Sequence, residues 1–103
     1  MTIKPETKIV KQIEKWVYEQ GGEVLKLHGS SMQRSGEPDL IGGFGRDTKY
    51  GGVHFVYEVK LPGEEPRDDQ KYRLERWARS YFTAGWGTSL QEFIRFIKDA
   101  KNN

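Results

Sequence analysis

Val53-His54-Phe55-Val56-Tyr57-Glu58-Val59-Lys60 is the stretch on which the fold turns. Its residues alternate as a β-strand requires: Val53, Phe55, Tyr57 and Val59 point to one face, and His54, Val56, Glu58 and Lys60 to the other. Glu58 and Lys60 therefore share a face while Val59 turns into a core. Upstream lies Gly36-Glu37-Pro38-Asp39-Leu40-Ile41-Gly42, an acid placed just before a second short apolar run. If the strand that begins near Asp39 lies beside the first, two carboxylates and an ammonium converge. Two anionic oxygen groups held together either shift each other's protonation or share a divalent cation.

Outward from these two strands the chain is read as helix and strand in turn. Pro5 and Glu6 suit the first turn of a helix. Ile9, Val10, Ile13, Trp16 and Val17 recur at helical spacing until Gly21-Gly22. At 100° per residue Glu6 falls on that apolar face, Glu14 about 100° from its middle, and Lys4, Lys8, Lys11 and Lys15 on the opposite side. Glu23 to His28 is a strand candidate, followed by a polar loop from Gly29 to Gly36. Leu40 and Ile41 form a second strand ended by Gly42-Gly43, and Gly42 to Gly52 reads as a mobile hairpin loop. Pro66, Asp68 and Asp69 open a helix on which Gln70, Leu74, Trp77 and Tyr81 share a face. Thr83 to Ser89 gives a short strand or turn. Ser89 and Glu92 form a capping box for a last amphipathic helix built on Leu90, Phe93, Ile94 and Ile97.

The 103 residues allow one domain, 1–103, with one modest core. A hydrophobic share of 35% is low, yet 13% aromatic residues argue against disorder. A net charge of +2 permits a nucleic-acid partner without announcing one. The lack of cysteine excludes disulfides and thiolate metal sites. No apolar run approaches the roughly 18 residues that span a bilayer, and the first residues lack a signal-peptide core, so no membrane partner and a cytoplasmic location are expected.

Pro38-Asp39 followed by Glu58-Val59-Lys60, on an αβββαβ chain with a further C-terminal helix, resembles the PD-(D/E)XK nuclease superfamily. More narrowly, the chain resembles the VRR-NUC domain in the short stand-alone form of phages and bacteria, and through it the Holliday junction resolvases. The resemblance rests on Glu6 in an early helix, Gly36 to Gly42, Glu58-Val59-Lys60, Gln70 on the next helix, and Thr88-Ser89 before an amphipathic helix. It implies an α/β fold of restriction-endonuclease-like type, a central mixed β-sheet flanked by helices. It also implies metal-dependent hydrolysis of DNA phosphodiesters with Mg²⁺ or Mn²⁺, acting in a bacterial or phage-infected cell.

The roles that follow have physical support. Asp39 and Glu58, with the Val59 carbonyl, supply hard oxygen ligands. Lys60 orients or helps deprotonate the attacking water and offsets charge on the phosphorane. By similarity, Glu6 adds a metal contact and Gln70 holds Lys60 or the water, with Glu14 the rival to Glu6. DNA contacts are expected from Ser30, Gln33, Arg34, Arg46 and Lys49 in the two loops. Each piece also has a plainer reading. Asp39 alone can be a turn residue, Glu58 and Lys60 an exposed ion pair, His28 structural, and Trp16, Trp77 and Trp86 core or interface. Branched DNA and a homodimer are the expected partners. The alternatives are a monomeric nicking or non-specific endonuclease, and a non-catalytic DNA-binding module.

Overall fold

The structure, a computed structural model, describes residues 4–27 and 35–103. Helix α1 (Pro5–Glu19) leads through a turn into β1 (Gly22–Lys26), β2 (Leu40–Phe44) and β3 (His54–Val59). Helix α2 (Asp68–Arg79), β4 (Thr83–Gly87) and α3 (Leu90–Asn102) complete the chain. The strands form one four-stranded sheet in the order β1-β2-β3-β4, antiparallel except for the parallel pair β3-β4. This is the expected mixed sheet and element order. The parallel step needs a crossover, which α2 provides. No helix among the described residues is long and apolar enough to cross a membrane.

Helices α1 and α3 cover one face of the sheet. Val10, Ile13 and Val17 of α1 and Phe93 and Ile97 of α3 pack with Leu40, Phe44, Phe55, Tyr57 and Val59. Phe93 lies fully buried at the centre, its ring 4.8 Å from Tyr57, 5.2 Å from Phe55 and 5.9 Å from Trp16 between centroids. Alternation along β3 then sends Val56 and Glu58 to the opposite face, and α2 closes over them. Val56 and Glu58 are buried there, as is Leu74 of α2. Covering on both faces makes β3 the central strand in burial as well as in the reading of the chain.

Several local expectations need correction. Gly42 and Gly43 do not end β2; they are its third and fourth residues. A Cβ on Gly42 would run into the Glu23 carbonyl and lie 2.8 Å from the Phe55 ring, so glycine here lets a core phenyl close over the backbone. The β2-β3 connection is not a loose loop. Tyr50 is buried against Trp16 and Phe44, the backbone closes hydrogen-bonded turns at Thr48, Gly51 and Val53, and Lys101 Nζ donates to the Gly51 carbonyl at 2.8 Å. Tyr81 does not continue the buried face of α2. The helix ends at Arg79, and Tyr81 adopts φ 71° and is 97% exposed. In the last helix Ser89 Oγ accepts from the Glu92 amide as expected, but Glu92 reaches back to the amide and hydroxyl of Thr88.

Candidate active site

Register builds the site. β2 and β3 pair Leu40 with Tyr57. One step further along that ladder, Asp39 stands across from Glu58, both on the α2 side. Beyond Leu40 the Asp39 side chain takes over from the ladder: its Oδ2 accepts from the Val59 amide at 2.8 Å. Pro38, fully buried, anchors the chain just before this point.

Glu58 is 4% exposed, an unusual position for a carboxylate. Its Oε2 accepts from Gln70 Nε2 at 2.7 Å and lies 3.6 Å from Lys60 Nζ. Its Oε1 is buried with no hydrogen-bond partner among the described residues. Burial pushes the Glu58 carboxyl up to about 8, the Asp39 charge pushes the same way, and Lys60 opposes both. Lys60 and its 14%-exposed side chain close the group toward solvent.

Gln70 occupies the third position of α2, and its orientation is forced. Its Oε1 accepts from the Arg67 amide at 2.8 Å, an N-terminal cap, so its amide nitrogen is left to face Glu58. The helix start and the carboxylate are held by one side chain.

The structure thus brings together Asp39, Glu58, Val59, Lys60 and Gln70. Glu6 is exposed in the first turn of α1, which buries Val10, Ile13 and Val17 instead, and no contact joins it to this group among the described residues. The reason is geometric: α1 packs on the other face of the sheet. Glu14 is half-buried on the same helix. Arg46 and Lys49 are exposed in the β2-β3 turn. Asp39 immediately precedes β2 and Glu58 is the next-to-last residue of β3, so that turn lies at the opposite end of the hairpin, roughly 15 Å away along the strands. Ser30, Gln33, Arg34 and His28 lie outside the described residues.

Two neighbours of the site escaped the sequence reading. Arg73, one turn beyond Gln70, pairs through Nε with Glu37 Oε1 at 2.5 Å, both side chains largely buried. Trp86 pairs in register with Glu58 across the parallel β3-β4 ladder and is 43% exposed. The helical spacing of Gln70 and Arg73 was available as a signal. The adjacency of Trp86 required the strand order.

Compared with known proteins, the chain matches no protein-family model and no curated protein. Among solved structures it is similar to one described as a VRR_NUC domain, 27% identical, with a TM-score of 0.75 over 93% of this chain and 97% of that one. The chain thus resembles a VRR_NUC domain along nearly the whole length of both chains. A second VRR_NUC domain protein is 14% identical with a TM-score of 0.67, over 96% of this chain and 89% of the other. A Holliday junction resolvase, Hjc of Archaeoglobus fulgidus, is 21% identical with a TM-score of 0.59, over 81% of this chain and 67% of the other. The restriction-endonuclease-like fold of this chain is therefore shared with all three.

The donor set fits a hard divalent cation. Among the described residues, Glu58 Oε1 is a buried, unpartnered carboxyl oxygen next to a second carboxylate, a site where a bound cation would favour the ionised form. The described residues hold no cluster of three or more His, Cys, Asp or Glu side chains. Mg²⁺ does not need one, since it commonly binds through one or two carboxylates and keeps several waters.

Proposed function

We propose that this VRR-NUC-like domain is a metal-dependent nuclease that hydrolyses phosphodiester bonds in DNA. The observation that carries the reading is Glu58: buried, beside Asp39 and near Lys60, with one oxygen left unpartnered. Such a carboxylate is costly to keep unless the site has a use for it.

Asp39 and Glu58, with the Val59 carbonyl, would hold Mg²⁺ or Mn²⁺. When bound, the ion supplies positive charge to the phosphate and acidifies a water. The chain's own residues do the rest. The Val59 amide fixes Asp39, and Gln70 fixes Glu58, so neither carboxylate has to reorganise as charge develops. Lys60 brings an ammonium to the phosphate side of the pair, where it offsets the extra charge of the five-coordinate phosphorus as water attacks and the bridging P–O bond breaks. One strand leaves with a phosphate and the other with a hydroxyl. Glu6, exposed on α1, would take part only through water or substrate.

The likeness to an archaeal Holliday junction resolvase supports branched DNA as the substrate, and the proposed setting is the cytoplasm of a bacterial or phage-infected cell. Symmetric cleavage of two strands asks for two sites related by a two-fold axis, hence a homodimer. Tyr72 on α2, Tyr81 just beyond that helix and Trp86 on edge strand β4 are exposed and suit such an interface.

The test is cleavage of a labelled four-way junction and a matching duplex by folded protein in Mg²⁺, Mn²⁺ or EDTA, with gel-filtration mass measured alongside. Metal-dependent cutting that favours the junction, by a dimer, is the expected result. Cutting of both substrates by a monomer would replace this reading with a non-specific or nicking endonuclease. Binding without cutting in any metal would make it a non-catalytic DNA-binding module. Gln70→Ala should lower the cleavage rate by about 10–100-fold, the usual effect of losing a residue that orients a ligand. An unchanged rate would remove Gln70 from the site.

A further inference from the structure

Helix α2 carries Lys71, Arg73, Arg76 and Arg79. Three of these are matched by carboxylates: Lys71 by Glu65, Arg73 by Glu37 and Arg79 by Glu75. Arg76 has no such partner among the described residues. It is exposed and, with Arg73, Trp77 and Ser80, lines a cleft of about 200 Å³. The lining is rich in donors. Two guanidinium groups sit there, the Trp77 Nε1 is buried with no partner among the described residues, and the Ser80 hydroxyl donates to the Arg76 carbonyl. Among the described residues, Glu37 is paired with the lining residue Arg73. Forked guanidinium donors beside a further N–H match the tetrahedral oxygens of a phosphate.

The place of this cleft gives it a meaning. Arg73, Arg76 and Trp77 follow Gln70 by one to two helical turns, which puts them about 5–10 Å along the axis from the residue that holds Glu58. Successive phosphates of a nucleic acid strand advance by about 3.4 Å each along the helix axis.

We propose that the cleft of Arg73, Arg76, Trp77 and Ser80 binds a backbone phosphate of the substrate, about one to three nucleotides from the bond that is cut. Arg76 is the principal contact, and Arg73, held by Glu37, and Trp77 Nε1 complete the cradle. This rests on the nuclease reading for the identity of the substrate. Its function is to set the strand's register, so that the scissile phosphate arrives at Asp39, Glu58 and Lys60.

Two variants test it without disturbing the core: Arg76→Ala, at an exposed position, and Trp77→Phe, which removes only the indole donor and a little volume. DNA binding is measured in EDTA across a salt series, so the readout does not require cleavage. Arg76→Ala should weaken binding about tenfold and flatten the plot of log K against log salt by about 0.9, the value of one phosphate contact. Lys98→Ala, on the far side of the molecule, should leave the slope as it is. In cleavage, a single neutral methylphosphonate placed at each position around the cut should raise the wild-type KM at one position within about three nucleotides. That substitution should cost Arg76→Ala nothing further. If both variants keep the wild-type slope and phosphonate profile, the phosphate cleft is wrong and the nuclease reading stands. If Arg76→Ala shows the proposed slope change but the wild type cuts nothing in any metal, the cleft stands and the nuclease reading falls.

Discussion

Glu58→Gln is expected to abolish cleavage, by at least about 10³-fold, while making the metal-free protein more stable at alkaline pH. The two effects have one cause. The substitution keeps the shape and can still accept from Gln70, but removes the anionic oxygen that a cation would use. The sign of the stability change follows from the raised carboxyl, about 8 against an ordinary 4.5. A carboxyl that holds its proton more tightly when folded contributes stability fully below about 4.5, and that contribution is lost as pH rises from there through 8. Metal-free wild type should therefore lose Tm across this window, and Glu58→Gln should not lose that part. At pH 9 the variant should be the more stable by roughly 1–3 kcal/mol, the scale of an unsatisfied buried group. That corresponds to at least about 4 °C in a domain of this size. Thermal melts in EDTA at pH 4.5, 7 and 9, paired with single-turnover cleavage at neutral pH, provide the check. Parallel pH profiles for the two proteins would mean that Glu58 is not the buried acid described here.

Phe93→Ala should produce the largest loss of stability. Phe93 is fully buried, and its ring meets Trp16, Phe55, Tyr57 and Phe96, so α1, β3 and α3 all lose packing at once. Phenylalanine-to-alanine changes in such positions cost about 3–5 kcal/mol. Against a total of about 5–15 kcal/mol, the variant is left marginal, with Tm lowered by at least about 12 °C. Because β3 carries Glu58 on its other face, local loosening should also weaken cleavage below the melting point. A Tm drop under about 4 °C would show that α3 does not pack against β3 in this way.

The core strand, the element order and the carboxylate pair were legible because period-two alternation in Val53–Lys60 fixes two faces at once. Gln70 was legible as a polar group at the start of an apolar helical face, although its double role, capping Arg67 and holding Glu58, was not. Glu6 had the same local signature, a polar residue in a first turn. What separated the two was which side of the sheet each helix covers, and helical periodicity says nothing of that. Gly42 and Gly43 looked like a strand end because glycine is weak in strands. The use of Gly42, making room for Phe55, depends on a neighbour in space. Arg46 and Lys49 were placed near the site by the idea that loops flank strands, and the hairpin puts them at its other end. Strand order alone set Trp86 beside Glu58.

The central claim is that Asp39 and Glu58 together hold the ion on which cleavage depends. Its most direct measurement is a calorimetric titration of Mn²⁺ into wild type and Asp39→Asn, each with and without a duplex blocked against cleavage. The account predicts Mn²⁺ bound by the DNA complex of the wild type, and no such binding by Asp39→Asn. Equal Mn²⁺ binding by both proteins, or none by the wild type under either condition, would contradict it.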